Sequence, residues 1–415
     1  MESTAQPDVS AQMEVLLRGA EAVHSPEELE QRLLESKKTG RPLRVKYGMD
    51  PTAPDIHIGH SVVLGKLRQF QDLGHKAVLI IGDYTARIGD PSGQDRTRPM
   101  LTPEQIKANA KTYFDQAGKI LDTTAAKLEI RYNSEWLEKL RLADIHQLAG
   151  QMTVARMMER DTFTLRYKDQ VPISLHEFLY PLMQAYDSVT VKADVELGGS
   201  DQTFNNLCGR DIQRAYGQRP QVVLMLPLLV GLDGKEKMSK STGNYVGITD
   251  EPNDMFGKFM SIPDKPMENY FTLLTDLPSE KIKELVDPDR THPRRAKATL
   301  GRTIVAQYHG QAAAEAAAAE FDRVFSAGQV PTEMPEVVIS DGQISIVELI
   351  LTAGFAESRS AARRLVSQNA VSIDEEKITD AEAEREFQEG QVLRVGKRRF
   401  GRISLKGPPS DGSEQ

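Results

Sequence analysis

Two histidines three positions apart, in the run His57-Ile58-Gly59-His60, stand where a predicted strand gives way to a predicted helix. The first turn of a helix carries unpartnered backbone N–H groups and the positive end of the dipole, so imidazoles placed there can serve a polyphosphate as its charge shifts. Gly59, between them, lets an adenine ring approach the backbone closely. A second cluster, Lys237-Met238-Ser239-Lys240-Ser241, lies between Asp233-Gly234-Lys235 and Thr242-Gly243-Asn244. A glycine-flanked loop of this kind can close and carry ammonium groups toward a departing pyrophosphate. Taken singly, each run has an ordinary alternative, a solvated histidine pair or a solvated turn. Zinc fits His57 and His60 less well, because no third ligand stands at a suitable spacing. Other nucleotide motifs are excluded: no GxGxxG follows the first strand, and the phosphate-loop lookalike Gly59 to Gly65-Lys66 has five intervening residues and Leu67 where Ser or Thr should stand.

Two further segments carry groups that are expensive to bury without a polar ligand. Tyr180, Gln184 and Asp187 are spaced four and three, so a helix brings a phenol, an amide and a carboxylate onto one face, with Pro181 tolerable at its opening. In Gly198-Gly199-Ser200-Asp201-Gln202 the glycines allow close approach of a ligand, and Asp201 can bond ribose hydroxyls. A solvated helix face and a capped turn are the plain alternatives.

These groups need elements to hold them. Residues 43–50 read as a strand ending in the turn DPTAPD, and a helix follows with Val63, Leu67, Phe70 and Leu73 on one face and Gly74 to stop it. The apolar run AVLIIGD at 77–83 is of the kind buried on both faces of a parallel sheet. With a later strand at 222–234, the pattern predicts a doubly wound, Rossmann-like α/β sheet over roughly residues 1–235. Helical spacing over 250–330, broken near Pro263, Pro266, Pro278 and Pro288, predicts an all-helical domain. The stretch 326–336 reads as linker, and 344–405 as two short helices followed by short strands. The predicted division is therefore a catalytic domain 1–235 with a helical insertion near 120–200, a loop and helical domain 236–326, a linker 327–342 and a small α+β module 343–408.

At 415 residues with 39% hydrophobic content, the chain has room for two or three domains. No apolar run is long enough to span a bilayer, and Met1–Glu14 lacks a signal or transit pattern, so a cytoplasmic location is expected. The lone Cys208 permits no internal disulfide and reads as a small buried hydrophobe. A net charge of −8 excludes nonspecific coating of nucleic acid, so any such site is local. Arg359, Arg363 and Arg364, with a second basic group from Arg394 to Arg402, concentrate positive charge near the C-terminus, as a local RNA footprint would. Arg359 and Arg363 fall four apart on a helix, and Asn369 after it suits a left-handed turn.

In combination, the HIGH run after a first strand and the KMSKS run after a late one resemble the two signatures of class I aminoacyl-tRNA synthetases. From about residue 40 to 405 the chain is similar to the bacterial tyrosyl-tRNA synthetases, including their tyrosine-binding helix and GGSDQ segment. The resemblance implies tyrosine, ATP with Mg²⁺, and tRNA(Tyr) as partners, and a homodimer built through the inserted helices. It implies that Asp187 accepts the phenolic hydrogen bond and that Asp90, Tyr180 and Gln184 hold the substrate ammonium. Asp50, Thr52, Gly59, Asp201, Lys237 and Lys240 would bind ATP, Gln202 would orient the reacting carboxylate, and His57, His60, Lys237 and Lys240 would be catalytic. Residues 358–374 resemble the RNA-binding module named after the fourth ribosomal small-subunit protein, with Arg359, Arg363 and Arg364 toward tRNA. Two departures stand out. Gln94 replaces a common lysine in the loop of Arg98, and Lys46-Tyr47 replaces the Tyr-Cys of many relatives, which turns the Tyr47 side chain to the opposite face of its strand. A tryptophanyl enzyme or a non-catalytic RNA-binding relative remains the competing reading.

Overall fold

The computed structural model describes residues 7–51, 56–92, 102–325, 330–331, 334–339, 343–382, 384–396 and 399–405. Its first compact unit, Met1–Ala317, is built on a six-stranded sheet, and the second is Ala318–Gln415. The strands of the first sheet are β1 (Ala22–His24), β2 (Arg44–Met49), β3 (Lys76–Ile81), β4 (Leu128–Tyr132), β5 (Val195–Gly199) and β6 (Val222–Leu226), in the spatial order β1-β6-β5-β2-β3-β4. β2 through β6 pair in parallel, and β1 closes the edge antiparallel to β6. After Lys76 at its start β3 is apolar and buried, and every residue of β6 is apolar and buried, as strands covered on both faces must be. The doubly wound sheet expected from the sequence is present.

β2 pairs with β3 on one side and β5 on the other, so the order of connection reverses between β2 and β5. Ligands of open α/β sheets bind outside the carboxyl ends of the strands at such a point. Three helices border it: α1 (Ile58–Asp72) after β2, α2 (Leu179–Val191) before β5, and α3 (Thr203–Ala215) after β5. Beyond the sheet, five helices run from Pro252 to Phe325, with Phe256, Phe259, Tyr270 and Phe271 buried among them. Pro266 and Pro278 stand immediately before helices Met267–Leu274 and Ser279–Val286, where a missing N–H costs nothing.

In the second unit, helices α4 (Ile346–Thr352) and α5 (Arg359–Ser367) pack around Val337, Leu349, Val366, Leu393 and Ile403. Asn369 adopts φ +54° after α5, the expected left-handed turn. The sequence reading of helices first and strands later needs correction. Strands Glu336–Ile339 and Gln343–Ser345 precede α4, and the first lies inside the stretch read as linker. Val337 and Ile339 alternate inward there, and pairing with Arg399–Leu405 outweighs the Gly- and Pro-rich composition around them.

Candidate active site

A cavity of about 520 Å³ opens at the carboxyl ends of β2 and β5. It brings together His57, Gly59, His60, Lys237 and Lys240, drawn from two distant stretches of chain. Asp50 and Asp201 line it, and so do Asp90, Tyr180, Gln184, Asp187 and Gln202. Thr52, Gln94 and Arg98 lie outside the described residues. Arg359, Arg363 and Arg364 belong to the second unit, exposed on or next to α5.

The histidines are held by the helix they begin. His57 is the N-cap of α1, its Nδ1 accepting the Gly59 N–H at 3.1 Å, and His60 Nδ1 accepts the His57 N–H at 3.3 Å. A Cβ at position 59 would stand 2.8 Å from the His57 ring and would have to push that ring out of its cap bond. Burial, then the neighbouring His60 and the two lysines, push the His57 pKa down to about 2. Burial, partly offset by the bond to the His57 backbone, brings His60 to about 4. Both rings are neutral near pH 7, and with each Nδ1 accepting, the proton sits on Nε2 as a donor. The pair therefore offers hydrogen bonds rather than charge.

Positive charge comes from the loop after β6. Lys237 Nζ lies 3.2 Å from Asp201 Oδ2 and is about half exposed. Met238 is buried and its N–H bonds Leu229 O at 2.7 Å, while Asn244 bridges Ser239 N–H and Asp233. Backbone bonds Ile58 N to Val246 O at 2.9 Å and Ile248 N to Ile56 O at 3.2 Å tie the segment after this loop to the segment that carries the histidines.

At the other end, Asp187 is 3% exposed yet borders the cavity. Trp136 Nε1 donates to one of its oxygens at 2.8 Å and Asn133 Nδ2 to the other at 3.3 Å. Burial raises its pKa to about 7, against the opposing pull of Lys46 and of these two donors. Asn133 also donates to Thr85 Oγ1, Thr85 donates to Asp50, and Tyr180 Oη donates to the second Asp50 oxygen at 2.8 Å. One chain of hydrogen bonds thus links Asp50 to Asp187. Asp90 accepts from Ser92 N–H, from Arg160 Nη2 at 3.2 Å and from Gln202 Nε2 at 2.7 Å, so the two residues expected beside the substrate's ammonium and carboxylate touch each other.

The sequence reading missed Asn133, Trp136 and Arg160. A lone tryptophan and an asparagine immediately after the carboxyl end of β4 were the available sign for the first two. Tyr47 and Lys46 leave β2 on opposite sides, as alternation requires. Lys46 reaches α2, while the buried Tyr47 hydroxyl feels Tyr113 and Asp201.

Neutral histidine donors and the Lys237 and Lys240 ammonium groups thus share one cavity at the switch point, and residues 37–326 match the family described as tRNA synthetases class I (W and Y). The chain belongs to this family and, within it, to the tyrosine–tRNA ligases. Residues 327–403 match the tyrosine–tRNA ligase SYY-like C-terminal domain. A tyrosine–tRNA ligase of Moorella thermoacetica is 51% identical over 401 residues, covering 96% of this chain and 97% of the relative. That of Ralstonia nicotianae is 54% identical over 396 residues, covering 95% and 100%. The fold is shared with the crystal structure of tyrosyl-tRNA synthetase complexed with L-tyrosine from Archaeoglobus fulgidus, at 23% identity and a TM-score of 0.59 over 75% of this chain and 100% of that one. Among the described residues, no helix is long and apolar enough to cross a membrane.

With His57 and His60 neutral over this range, Asp187, raised by burial to about 7, changes charge near neutral pH. Below that pH it takes up a proton, and a charge-assisted acceptor becomes a neutral one, a loss of about 1 kcal/mol per hydrogen bond. The dissociation constant for tyrosine alone, read from the fluorescence of the single tryptophan, Trp136, is expected to rise about fivefold from pH 8 to pH 6. A flat profile, or tighter binding in acid, contradicts Asp187 as the phenol acceptor.

Proposed function

We propose that this enzyme joins tyrosine to ATP and passes the tyrosyl group to tRNA(Tyr) by the following division of labour. A carboxylate oxygen of tyrosine attacks the α-phosphorus of ATP, the bond to the bridging oxygen breaks, and pyrophosphate leaves. A hydroxyl of the terminal adenosine of tRNA then attacks the tyrosyl carbonyl, forming the ester and releasing AMP. No enzyme nucleophile is required; the work is positioning and charge stabilisation. Nε2–H groups of His57 and His60 donate to the phosphates from the α1 side, and Lys237 and Lys240 neutralise the departing pyrophosphate from the loop. Mg²⁺ enters with the ATP phosphates as part of that substrate. Asp50, Thr52, Gly59 and Asp201 face the nucleotide. Asp187 accepts the phenolic proton, Asp90, Tyr180 and Gln184 take the ammonium, and Gln202 orients the carboxylate.

The observation that carries this reading is the single cavity lined at once by the histidine turn, the lysine loop and the buried acceptor Asp187. Exposed apolar side chains support a homodimer: Leu142, Val154, Tyr167 and Leu175, 71–83% exposed, all lie in the inserted segment between β4 and β5. Work in the cytoplasm, with 236–326 as the anticodon-side domain and 343–408 as the RNA-binding module, completes the proposal. Arg359 and Arg363 hold Glu348 at 2.7 Å and Glu382 at 2.5 Å, exposed pairs that RNA phosphates exchange at little cost. Arg364 joins them on the same helix.

Amino-acid-dependent exchange of pyrophosphate into ATP, run with tyrosine, tryptophan and phenylalanine, tests the reading. Tyrosine alone supports exchange if it holds, and equal exchange with tryptophan ends it. In the same assay a chain lacking residues 340–415 keeps exchange while losing at least tenfold in tRNA charging, in line with removal of several phosphate contacts. Unaltered charging removes the RNA role from that module.

A further inference from the structure

Beneath the amino-acid end of the cavity lies an ion pair that the proposed mechanism does not use. Lys46 of β2 and Glu196 of β5 are register partners on adjacent parallel strands, 0% and 1% exposed, with Nζ 2.8 Å from Oε1. Lys46 Nζ also donates to Ser188 Oγ at 2.7 Å and to the backbone oxygen of Gln184 at 3.0 Å, so its three donors are all committed. Glu196 Oε2 accepts from Ser188 Oγ at 3.1 Å and from Gln221 Nε2, and Glu196 itself borders the cavity. Gln184 Nε2 completes the cluster through Asn206 Oδ1 at 3.0 Å.

Burying two charges costs desolvation that a pair of apolar side chains would avoid, so such a pair is poor evidence of a device for stability. What it does here is geometric. Both α2 groups it grips, the Gln184 carbonyl and the Ser188 hydroxyl, flank Asp187 in sequence, and all the anchors come from rigid sheet strands. We propose that the Lys46–Glu196 pair is the positioning element of the amino-acid pocket, setting the rotation and height of α2 so that Gln184 and Asp187 meet the substrate at both ends. This role rests on reading the cavity as the tyrosine site. The pair also acts on Asp187 through charge: the Lys46 cation favours its ionised form and Glu196 opposes it, Tyr180 being the other titratable neighbour.

The test compares Lys46→Met, Glu196→Gln, Ser188→Ala and the double variant Lys46→Met with Glu196→Met, which removes both charges of the pair together and so keeps a folded protein on hand. In the full-length enzyme, tyrosine-dependent exchange and Trp136 fluorescence are measured against pH. Each charge variant is expected to raise the KM for tyrosine at least tenfold and to cut the tyrosine-to-phenylalanine ratio of kcat/KM at least tenfold. The KM for ATP stays within twofold. Ser188→Ala moves the same way by a smaller factor. The midpoint of the pH dependence moves up in Lys46→Met and down in Glu196→Gln, a readout that loosened packing alone would not give opposite signs. A folded double variant with the wild-type tyrosine KM and discrimination overturns the positioning role. Absence of tyrosine-dependent exchange in the wild-type chain instead overturns the tyrosine reading, so the two failures are distinct.

Discussion

Lys237→Ala is expected to slow tyrosyl-adenylate formation by about 10²–10³-fold, the usual loss when one preorganised donor to a developing charge is removed. The KM for tyrosine is expected to stay within a factor of about two, the pattern of an interaction made only in the transition state. Lys237 carries its ammonium on a loop strapped by Met238 and Asn244, and in the structure that ammonium rests on Asp201, half in solvent. Asp201 therefore holds the cation ready without neutralising it by burial, and negative charge growing on the pyrophosphate competes for it. Nothing in this arrangement touches Asp187, whose partners come from Asn133 and Trp136. Single-turnover measurement of adenylate formation separates the outcomes: a tyrosine KM that rises in step with the fall in rate removes Lys237 from the chemical step.

Asp187→Asn is expected to lower the preference for tyrosine over phenylalanine by at least a hundredfold in kcat/KM, close to the about 3 kcal/mol of a strong hydrogen bond to a charged group. The carboxylate has nowhere to relax. Each oxygen already accepts from a fixed ring or amide donor, and the residue is buried, so a phenylalanine ring leaves its remaining lone pairs without water or partner. The discrimination of about 10⁵ that illustrates this principle comes from tyrosyl enzymes themselves, so it marks the ceiling for the loss and is no product of this cleft's geometry. The asparagine side chain keeps the volume but turns one acceptor into a donor, aimed at Trp136 or Asn133. The pH dependence of tyrosine binding also vanishes in this variant. Retained discrimination would mean that the phenol is read by another group.

How much of this was legible beforehand depends on the distance over which a residue acts. β3 and β6 announced themselves because a strand covered on both faces has no polar positions to interrupt it. The Tyr180, Gln184 and Asp187 face followed from helical spacing alone, and all three border the cavity. Periodicity says which face a side chain occupies and nothing about what waits there. Trp136 and Asn133 meet Asp187 across 51 and 54 positions of chain, and Lys46 meets Glu196 only because β2 and β5 are neighbours in the sheet. The departure at Lys46-Tyr47 was visible as a substitution, but its meaning needed the partner strand. Two short strands ahead of α4 escaped for a different reason, since three or four residues hold too little alternation to outweigh nearby prolines and glycines.

The histidine turn is fastened to the segment that follows the lysine loop by main-chain bonds at Ile56, Ile58, Val246 and Ile248. During synthesis the first of these segments leaves the ribosome long before the second exists. Until residue 248 has emerged, the turn that begins α1 lacks the strap that holds it, and contacts of such long range form late for reasons of chain entropy. A nascent chain therefore carries the histidine turn for much of its elongation with neither the lysine loop nor the strap, and products terminated before residue 237 lack half of the proposed ATP grip and are born inert rather than as enzymes that hydrolyse nucleotide to no purpose.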